Sequence, residues 1–293
     1  MIEGLRTEIP EVFALARRIP RPAVPAAPPI IAAAYGLGVQ WLLGGLVRGI
    51  VFASLSFAPW VLPGQPPIRE AIALFATAAG VAVARRSGGL AGALLLVVFM
   101  AAEEASGRLV FAHVNAAFCA AQPGCLQPLA PSFPWPAVGG SLLGLVAARR
   151  IRASGTRRSA TLLAAALISA TFPVVQLLIE PFGLPTGPDA GLRFTVFIAA
   201  EFVAAAVAGA ALGASSRRPW RAVALFSAVF LLPWSYTLKV WLLEPPPPPF
   251  RFELQWQALI PPLYALTLVT AALLARMVVS LRLVGRAGPA ADA

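Results

Sequence analysis

Apolar runs long enough to cross a bilayer recur between residues 30 and 281, and a cluster of arginines follows every second one. A spanning helix needs ~20 mostly apolar residues at ~1.5 Å rise per residue. The runs are Ile30–Phe52, Ile68–Ala84, Gly88–Ala105, Phe133–Ala148, Ala160–Ile179, Leu192–Gly213, Trp220–Leu243 and Leu259–Leu281. With 59% hydrophobic and 12% charged residues, the chain has too little polar surface to stay in water. The expected fold class is all-α, a polytopic transmembrane bundle of about eight helices, with membrane lipid as the main partner.

The arginines set the expected orientation, because cytoplasmic loops hold an excess of Lys and Arg near helix ends. Arg17, Arg18 and Arg21 precede the first run, Arg85 and Arg86 follow the second, and Arg149, Arg150, Arg152, Arg157 and Arg158 follow the fourth. Arg217, Arg218 and Arg221 follow the sixth, and Arg276, Arg282 and Arg286 close the eighth. Both termini are therefore expected in the cytoplasm. A formal charge of +11 in a soluble protein would point to nucleic acid. Here the arginines punctuate apolar runs, so no nucleic-acid partner is expected. Lys239 is the single lysine, and the richness in Arg, Ala, Gly and Pro fits a GC-rich bacterial genome. The expected location is the bacterial cytoplasmic (inner) membrane, multi-pass.

Residues 1–28 read as a cytoplasmic segment with a short interfacial helix whose apolar face is Ile9, Val12, Phe13 and Ala16. No small-residue cleavage site follows a short apolar core, so this start does not read as a secretory signal. Residues 29–285 form one expected bundle, divisible into four-helix halves 29–150 and 159–285, with 286–293 as a cytoplasmic tail. The opposite loops, Pro63–Pro67, Phe118–Pro131, Pro181–Gly191 and Glu244–Gln255, are proline-rich and expected on the outer face. Small residues four apart, Gly45/Gly49, Gly88/Gly92, Gly140/Gly144 and Gly209/Gly213, predict close helix packing.

Ionisable side chains inside a membrane are costly and point to function by default. Glu201, midway along the sixth run, is the deepest, and reads either as an ion or proton site or as a hydrogen-bonded packing residue. Glu103, Glu104 and Arg108 lie near the outer end of the third run, and Glu104 and Arg108 share a helical face. They read as an interfacial ion pair or as a general base beside a cation. Arg48, Glu180 and Lys239 fall at the same outer level and are candidate binding residues. A Schiff base at Lys239 is the sharper reading, and pairing with Glu244 the simpler one. With His113 the only histidine, no metal centre and no redox cofactor is expected. Cys119 and Cys125 share the second outer loop and form a candidate disulfide in an oxidising compartment.

Glu103, Glu104 and Arg108 also spell the Glu-Glu-x-x-x-Arg signature of CAAX-type intramembrane proteases. That family needs histidines on two later helices, and the chain has none after His113, so metal-dependent peptidase chemistry is not expected. In residues 68–150 one helix ends in Arg85 and Arg86, the next carries an acid at Glu103 or Glu104, and a glycine-rich helix with Gly140 and Gly144 ends in Arg149 and Arg150. This rhythm resembles the VanZ-like membrane family, which implies a cell-envelope role with Glu104 as the matching acid. The family's Gln after the acid, and its Asp and Asn before the last helix, are absent here. The functional expectation is a structural or assembly subunit, docking other membrane subunits, rather than an enzyme. The alternatives are an outer-leaflet enzyme or lipid-handling protein using Glu103, Glu104 and Arg108, and a transporter centred on Glu201.

Overall fold

The computed structural model describes residues 27–54, 66–121, 134–149, 159–179, 190–215, 219–243 and 251–287. The described residues are all-α: α1 (Pro29–Ser54), α2 (Pro66–Ala121), α3 (Trp135–Arg149), α4 (Ala160–Ile179), α5 (Ala190–Ser215), α6 (Pro219–Leu243) and α7 (Arg251–Ala287). Four stretches, Pro29–Val51, Ile68–Ser106, Thr195–Ser215 and Leu259–Arg282, are long and apolar enough to cross a membrane. Their outward faces carry exposed Ile50, Val98, Val203 and Leu266, a surface that only lipid can cover at low cost. The protein is thus a multi-pass membrane protein.

The runs at 68–84 and 88–105 lie in one helical element, α2, interrupted at Gly88 (φ −131°, ψ 19°) and Gly89 (φ 67°, ψ −159°). The connection expected after Arg85 and Arg86 is therefore only these two residues. The second arm doubles back on the first: Val81 and Ala84 share a buried cluster with Ala93, Leu96 and Met100. The chain entering α1 is tied to the break, since the Ala27 N–H donates to the Ser87 carbonyl at 2.8 Å. Gly89 has nothing near its missing Cβ, so only its positive φ resists substitution. Gly89→Ala is expected to cost ~1–3 kcal/mol, visible as a lowered unfolding midpoint in detergent. An unchanged midpoint would mean the chain reverses there without strain.

Lipid tails are as apolar as leucine, so helices in a membrane associate through close packing and hydrogen bonds more than through hydrophobic burial. The four glycine pairs lie at such contacts. A Cβ on Gly45 would stand 2.6 Å from Val229 Cγ1, and one on Gly49 would stand 2.7 Å from Leu232 Cβ, both on α6. Gly92, beyond the break, meets Ala32 of α1; Gly140 and Gly144 of α3 meet Leu74 and Ala78 on the first arm of α2. Gly209 and Gly213 of α5 lie against the backbone of Leu268 and Ala272 in α7.

Helix α1 is the hub. Gly36 approaches the Gly80 backbone in α2, whereas Gly38 approaches the Leu162 backbone in α4. Leu37 belongs to the buried cluster with the two arms of α2 and Ala166. Leu42 belongs to the second cluster, with Ala165, Ala208, Phe226 and Leu268 from α4, α5, α6 and α7. Missing side chains on two sides let this helix be gripped by both groups at once.

Candidate functional site

Helix α1 and the first arm of α2 nearly touch at one level and part toward Arg48. A Cβ on Gly36 would lie 2.5 Å from the Gly80 carbonyl oxygen, but two turns on, a Cβ on Gly44 would meet Ala76 Cβ at 3.4 Å. Into this widening open a cavity of about 450 Å³ and the polar residues Gln40, Arg48, Glu103 and Ser169, from α1, the second arm of α2 and α4. Trp41 and Phe230 supply aromatic wall. The size lies within the ~300–1,000 Å³ common for small-molecule sites.

The charges are separated. Arg48, on α1, has Arg69 near enough to repel it, and Glu103, on the second arm of α2, is repelled by Glu104. Arg48 is the one basic and Glu103 the one acidic residue of the cavity lining among the described residues. Among the described residues neither Arg48 nor Glu103 makes an ion pair or a hydrogen bond. Opposite charges held apart on two helices suit a ligand that carries both signs.

Gln40 is the polar residue nearest mid-helix. Its Nε2 donates to Thr77 Oγ1 at 3.3 Å, while its Oε1 is buried without a hydrogen-bond partner among the described residues. Such an orphaned acceptor costs ~1–3 kcal/mol, which a ligand donor would recover. Thr77 is 3% exposed and is held in place by α3: a Cβ on Gly140 would stand 2.8 Å from Thr77 Cβ. On α6, Pro233 removes the helical donor to the Val229 carbonyl, and both residues line the cavity.

The same parting of helices has an apolar side. A groove of about 410 Å³ is lined by Leu43, Val47, Ile68, Ala71 and Phe75, together with Ile72 and Ala76. Ile72 and Ala76 also line the polar cavity, so the two spaces adjoin across these side chains. Phe75 and Ile68 are exposed, so the groove opens sideways to lipid.

Glu104, one residue from Glu103, lies about 100° around the helix and lines another space. This is an apolar groove of about 530 Å³ between α3 and the second arm of α2, walled by Leu94, Val97, Val138 and Leu142. The adjacent acids Glu103 and Glu104 thus serve two different compartments.

Glu201 lies outside both. On α5 it accepts a hydrogen bond from the Tyr264 hydroxyl of α7. Tyr264 also makes an edge contact with Phe202 (centroids 4.4 Å apart) and packs on Phe230 at 5.8 Å. Phe230 in turn meets Trp41 at 5.7 Å. The hydrogen bond and the ring contacts of Tyr264 tie α5 to α7 at Glu201.

Of the other candidates, Glu180 and Cys125 fall outside the described residues, as do the side chains of Arg108, Cys119 and Lys239. Arg48 and Glu103, read from sequence as members of an outer-level band, share one cavity. Gln40, Thr77, Ser169 and Tyr264 were not singled out. A lone amide within an otherwise apolar spanning run was the available signal for Gln40.

Fold and site together define a polytopic helical membrane protein with a charged cleft beside a lipid-facing groove. No protein-family model, curated protein or solved structure is similar to the chain.

Proposed function

We propose that the protein handles a membrane amphiphile, holding the polar head in the Arg48–Glu103 cleft and an acyl chain in the adjoining apolar groove. One observation carries this reading: the charged cavity and the lipid-open groove share Ile72 and Ala76 as their common wall. A soluble substrate has no use for the groove, and a structural bundle has no use for separated, unpaired charges. The cleft binds and orients the amphiphile and assigns no bond-making step. The bundle crosses the membrane eight times when the arms of α2 are counted separately, with both termini in the cytoplasm and the cleft in the outer half. A bacterial inner membrane and an envelope role, as the VanZ-like rhythm of residues 68–150 implies, belong to the same proposal. A docking role for the proline-rich outer loops rests on segments outside the described residues.

The test is lipid retention. Protein purified in mild detergent and examined by native mass spectrometry is expected to carry phospholipid, and Arg48→Gln should lower occupancy about tenfold. That corresponds to losing one charge-assisted hydrogen bond of ~1.5 kcal/mol. Glu104→Gln, facing the other groove, should leave this occupancy unchanged. Equal retention by Arg48→Gln and the unaltered protein would remove the cleft from lipid binding.

A further inference from the structure

We infer that the headgroup taken by the cleft is a small zwitterion with a primary ammonium, of the ethanolamine phospholipid class, in preference to a quaternary ammonium or a purely anionic head. The inference rests on the amphiphile reading and adds to it a choice among headgroups.

A head carrying only negative charge would satisfy Arg48 and meet repulsion from Glu103; a head carrying only positive charge would meet the reverse. A zwitterion places phosphate at Arg48 and ammonium at Glu103. The ammonium side is furnished with acceptors. Besides the Glu103 carboxylate, the lining includes the Ser169 hydroxyl and the Gln40 amide, whose Oε1 lacks a donor among the described residues. A primary ammonium has three N–H groups to give to such a wall. A trimethylammonium has none and would leave the Gln40 oxygen unsatisfied.

Quaternary heads are recognised instead by open aromatic faces. The two aromatic residues of the wall are engaged with other rings. Trp41 packs on Phe226 at 5.5 Å and on Phe230 at 5.7 Å, and Phe230 also packs on Tyr264. They form a chain of tilted and edge contacts through the bundle, which commits both rings to neighbouring rings and leaves the wall only two aromatic residues.

The experiment is competitive native mass spectrometry of the full-length protein in mild detergent. Dioleoyl phosphatidylethanolamine, phosphatidylcholine and phosphatidylglycerol are supplied at equal concentration, with free O-phosphoethanolamine in a separate arm. The ethanolamine lipid is expected to exceed the choline lipid about tenfold, the ratio produced by one hydrogen bond to a charged donor. Gln40→Leu should bring that ratio to within about twofold by weakening the ethanolamine lipid. Circular dichroism and elution volume verify that the variant is folded.

Equal binding of the ethanolamine and choline lipids, both lost in Arg48→Gln, overturns the headgroup choice and leaves the amphiphile reading standing. Preference for phosphatidylglycerol also overturns the choice. Binding of none of the three lipids overturns both. Free O-phosphoethanolamine binding as tightly as the lipid supports the headgroup chemistry but overturns a lipid as its source.

Discussion

Gly38→Ala should lower the stability of the bundle by about 3 kcal/mol, the upper range for overpacking, whereas Gly44→Ala should change it by less than about 1 kcal/mol. The two positions lie on the same helix and receive the same methyl group. At Gly38 that methyl would fall on the Leu162 carbonyl group, part of a helix backbone that cannot rotate aside. At Gly44 it would meet the Ala76 methyl at 3.4 Å, where a slight shift suffices and the higher helix propensity of alanine offsets the crowding. Thermal unfolding in one detergent, followed by far-UV circular dichroism, measures both. Equal midpoints for the two variants would show that α1 is not clamped between α2 and α4.

The second large effect concerns Glu201 and Tyr264. Tyr264→Phe removes the donor to a carboxyl group inside the membrane, and Glu201→Leu strands the tyrosine hydroxyl. Each should cost ~1–3 kcal/mol. The double variant replaces both polar groups with apolar ones and should be less destabilised than the sum of the two by ~1–2 kcal/mol, near the top of the range for interhelical hydrogen bonds in membranes. Glu201→Gln keeps an acceptor and should lose less than Glu201→Leu. Unfolding in mixed detergent micelles supplies all four numbers. Strict additivity would mean that the hydrogen bond does not couple α5 to α7.

The helices were legible because the bilayer imposes a length and a polarity that a sequence must show. Ala160–Ile179 coincides with α4, and Trp220–Leu243 begins one residue inside α6. The extra residues of α2 and α7 were not legible, since 106–121 and 251–258 mix polar and apolar residues and hydropathy alone does not extend a helix through them. The glycine pairs indicated that close packing exists but not which helices meet. That Gly209 faces Leu268, and not a residue of α6, depends on the handedness and order of the whole bundle.

The site was half legible for a related reason. Charge inside an apolar run is conspicuous, so Arg48, Glu103 and Glu201 stood out individually. Their grouping depends on rotation about each helix axis: Glu103 and Glu104, adjacent in sequence, face different spaces, while Arg48 and Glu103, more than fifty residues apart, share one. Neutral polar residues such as Thr77 and Ser169 are common in spanning helices and acquire meaning only from what they face.

The double grip on α1 also has a consequence in time. The glycine face of α1 around Gly45 and Gly49 is filled by Val229 and Leu232 of α6. These residues are synthesised roughly 180 residues later, and at ~5–20 residues per second that is a delay of about 10–40 s. Throughout that interval the face of the first helix around Gly45 and Gly49 lacks the side chains that fill it in the finished bundle. Assembly of this protein therefore includes a waiting step, and chains that end before α6 should be the ones a quality-control protease removes first.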